Sequence, residues 1–325
     1  MITNSKMQNI EFLRFLFAVI IVLYHSGNAT HDGYLAVEIF FILAGYFLAK
    51  SFAQKPDITY STFIKNKLAR LWPLFAFAVI LNGGNLYDMV FKLLFLHSTG
   101  ITLKYKSFIW FVAPFFWTML GYFIILKSFK FNNALSIISL LTYLSYVYLI
   151  NWNNGNLNIR ETVNFNISLA MLRGIAGIGF GIIIQAIFQN INLPVTHSKI
   201  RFFLITLIEI CILYFFIYHM IFKTIKYDNK LIFIIFFAIL LFLFIQKQGL
   251  LSQLLENKYS EMIGRYAYAI YIMQNLGFKI ADSLSIGYPL ANQLIIIIIL
   301  GILGYHLIEK PIYQKLRRTV QIELK

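Results

Sequence analysis

Residues 9–25 read NIEFLRFLFAVIIVLYH. Between Phe12 and Leu23 the single polar side chain is Arg14, and a run of this length, rising about 1.5 Å per residue, is close to what the hydrocarbon core of a bilayer requires. A short charged flank, MITNSK, precedes it with no small-residue cleavage site, which predicts a retained first helix. Working outward, apolar runs recur near 34–53, 71–86, 108–126, 131–150, 165–187, 202–221, 231–245, 263–280 and 291–308 with only short polar breaks. The pattern predicts an all-α, polytopic transmembrane helical bundle of about ten spans, forming one membrane domain over residues 1–325. The weak run is the third: after LWPLFAFAVIL come NGGN and the brief MVFKLLFL, so residues 86–97 are expected along the interface or re-entering.

Composition agrees. Of 325 residues 59% are hydrophobic and 13% charged, against roughly 25% charged in a soluble domain, and the mean hydropathy is +0.73. A water-soluble fold is excluded. Cys211 is the sole cysteine, so an intramolecular disulfide and a thiolate metal site are both excluded, and no metal is expected. The formal charge of +15 does not imply nucleic acid, because the basic residues sit between apolar runs. With a cytoplasmic N-terminus and ten spans, the inner segments hold eighteen Lys and Arg and the outer segments eight, with Arg14 and Arg173 inside spans. Both termini are therefore expected in the cytoplasm.

Charges inside spans are costly, roughly 2.5–3.5 kcal/mol each at mid-bilayer, and often mark function. Glu11, Arg14, Glu38, Arg173 and Glu209 qualify. Glu11 and Arg14, three apart, also suit a simple ion pair. Arg14 and His25 are eleven positions apart, some 20° beyond three full turns, so they share a face roughly 16 Å apart along the axis. Glu38 enters after a short loop from the same outer side and is expected near His25, where a carboxylate would orient the imidazole as a general base. His31 and His97 are expected to face water or headgroups, and His219 and His306 to anchor at the interface. Arg173, beside GIAGIGFG, is open between binding substrate and a polar contact at close helix packing, and Glu209 has no evident partner.

The stretch IEFLRFLFAVIIVLYHSG resembles the opening helix of the acyltransferase-3 family, membrane enzymes that O-acylate sugars and other surface hydroxyls; its Arg, ten residues, His signature is matched by Arg14 and His25. GYLAVEIFFILAGYFLAKSF is similar to the family's second helix through Glu38, Phe40, Phe41 and Gly45, and FIKNKLARLWPLF to its basic inner loop through Arg70 and Pro73. WFVAPFFW from Trp110, IGRYAYAIYIM near Tyr271 and Glu309-Lys310-Pro311 follow in order. Departures are Glu38 for Asp, Ala44 for Ser, Lys67 for Arg, Phe115 for Glu and Gln274 for His, and members' hydrolase-like extracytoplasmic domain is not expected.

The resemblance implies acetyl-CoA as donor and a glycan or other hydroxyl as acceptor, handled in the inner membrane of a bacterium. The donor's phosphates would be drawn to Lys65, Lys67 and Arg70, since Arg binds phosphate by two parallel hydrogen bonds and Lys as a point charge, with Arg14 gripping the donor deeper in by its phosphate or its polar arm; anionic lipid headgroups would suit the inner loop as well. His25 would take the acceptor's proton or briefly hold the acyl group, with Glu38 orienting it. The competing readings are a transporter or flippase of lipid-linked glycans, which predicts internal repeats not found here, and a non-catalytic scaffold.

Overall fold

A computed structural model describes residues 7–27, 31–101, 108–153, 157, 167–191, 198–223, 230–284 and 289–322. Fourteen helices are described: α1 (Gln8–His25), α2 (Ala36–Gln54), α3 (Tyr60–Asn82), α4 (Leu86–Leu93), α5 (Val112–Ser128), α6 (Phe131–Asn153), α7 (Leu169–Phe188), α8 (Lys199–Ile217), α9 (Ile232–Gln246), α10 (Leu250–Leu254), α11 (Lys258–Gly264), α12 (Ala267–Leu284), α13 (Pro289–Gly304) and α14 (Lys310–Ile322). Six helical stretches are long and apolar enough to cross a membrane: Gln8–His25, Gly33–Gln54, Phe131–Asn151, Leu169–Phe188, Lys199–Phe222 and Pro289–Leu316. α5 and α9 are apolar but shorter, and α3 and α12 carry charged residues among their apolar ones.

The boundaries follow local chemistry. α3 starts where Thr59 accepts a hydrogen bond from the Thr62 N–H and runs through Pro73, eleven residues earlier than the hydropathy pattern implies. It ends at Gly83 and Gly84, both at positive φ, a conformation glycine adopts without penalty. α4 follows from an Asn85 cap, with none of its residues buried.

α9 has 15 residues, about 22 Å of helix, short of the roughly 30 Å hydrocarbon core. Beyond it the chain turns into the bundle as α10. Glu209, buried on α8, accepts the Leu251 and Ser252 backbone N–H groups at 3.0 and 3.3 Å, which supplies the partner the sequence lacked. Asn9 at the start of α1 donates to the Phe244 and Ser252 carbonyls at 2.8 and 3.0 Å. The Gly264 backbone packs directly on Glu11. Segment 244–264 thus clasps the Arg14 end of α1.

At the centre, α2 and α7 meet backbone to backbone. A Cβ on Gly45 would collide with the Ile178 carbonyl, and one on Gly181 with that of Ile42; small residues permit this approach where lipid offers no hydrophobic drive. Around the seam, buried side chains of α1, α2, α3, α5 to α9 and α12 form one core. Phe17, Phe41, Trp110 and Phe237 are among its largest fully buried members.

Candidate active site

His25 closes the last turn of α1. Its Nδ1–H donates to Gln274 Oε1 of α12 at 2.8 Å; a carboxamide oxygen can only accept, so the proton sits on Nδ1 and the ring's lone pair on Nε2. Phe108 packs on the imidazole with ring centroids 4.7 Å apart. The Phe108 carbonyl is held by the Tyr271 hydroxyl at 2.6 Å, and Phe278 lies 6.0 Å from the Phe108 ring. Tyr271, Gln274 and Phe278, spaced three and four apart on α12, form the face turned to His25.

Glu38, expected beside His25, has Arg173 as its ion-pair partner. Glu38 Oε1 accepts from Arg173 Nε of α7 at 2.6 Å, with side-chain exposures of 4% and 1%. The glycine-lined α2–α7 seam brings these opposite charges together, and charges inside a membrane pair with one another. The Arg173 guanidinium stacks 4.5 Å from the Trp110 ring, a cation–π contact. Trp110 shares one turn with Phe108, so His25–Gln274 and Glu38–Arg173 pack against the same segment, residues 108–111. Arg173 thus makes a polar contact within close packing, and its Nη2 is buried without a hydrogen-bond partner among the described residues.

Sequence reasoning missed a second buried pair. Lys230 Nζ lies 2.9 Å from Asp32 Oδ1 and donates to the Tyr34 hydroxyl at 2.6 Å, and the Tyr34 ring sits 5.6 Å from that of Tyr24, beside His25. Both charges fall just outside apolar runs, where hydropathy reads them as solvated loop. His97 is a further correction. It is fully buried, its Nε2–H donates to the Ile109 carbonyl at 3.2 Å, and it stacks on Phe75; burial pushes its imidazole down to about 4.

At the other end of α1, Arg14 Nη1 donates to Glu11 Oε1 at 3.0 Å, with exposures of 26% and 19%. Burial, and after it the like charges of Arg70 and Arg14, push the ammonium of Lys67 on α3 down to about 7, and Glu309, in the π-helical turn after α13, lies within reach of the same two arginines. Of the predicted donor-binding residues, Arg14, Lys67 and Arg70 therefore share one electrostatic neighbourhood, with Glu11 and Glu309 as its acidic members. Such a cluster suits a polyanion.

Residues 7–307 match the acyltransferase-3 family, described as an acyltransferase domain. The chain belongs to the acyltransferase-3 family. The match covers nearly the whole described bundle, and the two polar ends of α1 fall within the matched region. Protein 2 in the picA locus of Rhizobium radiobacter is similar, at 35% identity over 79 residues, 22% of this chain and 41% of that protein. The match therefore spans less than half the length of that relative. No solved structure matches.

Proposed function

We propose that this acyltransferase moves an acetyl group from acetyl-CoA to a hydroxyl of a cell-surface or lipid-linked glycan. The observation that carries the reading is the polarity of α1: a histidine with its proton committed to Gln274 at one end, and Arg14 gathered with Lys67 and Arg70 at the other, roughly 16 Å away along the axis. The basic end takes the phosphates of the donor. Its long pantetheine arm runs toward His25. As the acceptor oxygen attacks the thioester carbonyl, His25 Nε2 takes the hydroxyl proton; collapse of the tetrahedral intermediate forms the ester, breaks the C–S bond and returns the proton to the departing thiolate. Glu38 acts at a distance, holding Arg173 and through Trp110 the turn that packs on His25.

We place both termini in the cytoplasm, on the strength of the eighteen-to-eight distribution of basic residues, and the protein in the inner membrane of a bacterium, as the family resemblance implies. That orientation turns the Arg14 end toward cytoplasmic acetyl-CoA. The test is base-labile acetate on surface glycan in a deletion strain complemented at matched membrane levels. Wild type restores it and His25→Ala does not; full restoration by His25→Ala would return the chain to the transporter reading.

A further inference from the structure

Gln274 is 0% exposed. Its Oε1 is engaged by His25, but its Nε2 is buried with no hydrogen-bond partner among the described residues. Leaving a buried amide donor unpaired costs roughly 1–3 kcal/mol, and such groups in native structures call for a reason, catalysis among them. The contact to His25 accounts for the carboxamide oxygen and leaves the amide donor unanswered. The planar carboxamide holds Nε2 beside the very oxygen that fixes the imidazole, so the N–H cis to that oxygen is presented on the side of the base. Phe108, Tyr271 and Phe278 line the surroundings, and a hydrogen bond made among aromatic rings in a low-dielectric setting is stronger than one made in water.

We propose that Gln274 is a second catalytic group, donating from Nε2 to the carbonyl oxygen of the acyl thioester; this rests on acyl transfer at His25. When the acceptor oxygen adds to the carbonyl carbon, the C=O π bond opens and its electron pair moves onto oxygen. That oxygen, now negative, accepts the Gln274 N–H while His25 Nε2 holds the acceptor's proton. Collapse reforms the C=O bond and expels the thiolate, which recovers the proton. One side chain thus sets the base with its oxygen and stabilises the oxyanion with its nitrogen, and the unpaired donor of the resting protein is satisfied only when substrate arrives.

The test uses membrane vesicles from cells lacking their own copy of the gene, fed radiolabelled acetyl-CoA, with base-labile label as the readout. Gln274→Glu keeps an oxygen acceptor for His25 Nδ1–H and removes the donor; Gln274→Met keeps the length and removes both. Each variant is quantified by detergent extraction as monodisperse protein, so that rate is per folded molecule, and either folded variant decides the question. Loss of one oxyanion donor typically costs 10²–10³ in kcat, so Gln274→Glu is expected to fall on the order of 10²–10³ in kcat with its KM for acetyl-CoA unchanged, and Gln274→Met at least as far. A Gln274→Glu kcat near wild type, or a Gln274→Met kcat near wild type, overturns the proposal, as does a loss confined to KM. Wild-type vesicles that transfer no label from acetyl-CoA would instead remove the acyl-transfer reading itself, a separate result.

Discussion

A histidine serves as a base when one ring nitrogen is committed and the other carries the lone pair, and Gln274 makes that commitment for His25 without adding a second titrating group. At the opposite end of the helix, Arg14→Lys exchanges a planar two-pronged donor for a point charge. It is expected to raise the KM for acetyl-CoA several-fold in vesicles with insertion unchanged; an unaltered KM assigns Arg14 to its Glu11 pairing alone. The Glu38–Arg173 pair obeys a different rule. Removing one member of a buried ion pair strands the other and typically costs about 3–5 kcal/mol, while replacing both with apolar side chains is often neutral. Arg173→Met should therefore unfold well below wild type in a detergent thermal melt, and Glu38→Met/Arg173→Met above the single variant. A double variant as unstable as the single would mean the pair does more than neutralise itself. His97 gives a pH signature. Its folded pKa, about 4, lies below the ordinary 6.5, so between those values the unfolded chain binds the extra proton. Its contribution is complete above about pH 6.5 and is lost as pH falls toward 4. Melting temperature should drop across that window in wild type and drop less in His97→Gln; identical slopes would contradict this.

At the scale of helices, the α2–α7 seam is what places Glu38 against Arg173. Gly45→Ala puts a methyl into the Ile178 carbonyl, whereas at Gly121 of α5 a Cβ meets nothing within 4 Å. Gly45→Ala should sharply reduce folded protein recovered from membranes, and Gly121→Ala should leave recovery at the wild-type level. Equal recovery of both would show that the seam tolerates separation. This seam was half legible beforehand. GIAGIGFG marked a site of close helix packing, and Arg173 beside it was open between substrate binding and a polar contact there, but sequence spacing relates residues only along one helix. The Arg14–His25 alignment was readable for that reason, while the choice of Arg173 over His25 as the partner of Glu38 depends on which helices touch. Gln274 was visible as a departure from the family pattern, and its contact with His25, 249 positions away in sequence, was not.

For the molecule as a whole, hydropathy located the apolar helices but not how the chain turns between them. The 231–245 run read as a span, and α9 has the same length of 15 residues; what hydropathy did not show is the turn into α10, where Glu209 caps the chain. Lys230 and Asp32 read as loop charges, yet a fold that closes over them makes them a buried pair. Orientation is testable directly. In a Cys211→Ser background, a cysteine replacing the exposed Lys223 should react with an impermeant thiol reagent in intact cells, and one replacing the exposed Asp57 should not; the reverse pattern inverts the topology and removes the donor cluster from the cytoplasm. The most direct measurement of the central claim uses inverted membrane vesicles, their cytoplasmic face outward, supplied with radiolabelled acetyl-CoA. Wild-type vesicles should accumulate base-labile acetyl ester, and His25→Ala vesicles with equal folded protein should lose on the order of 10²–10⁴ in rate, the usual worth of a general base. Ester formation by His25→Ala at the wild-type rate would contradict the account.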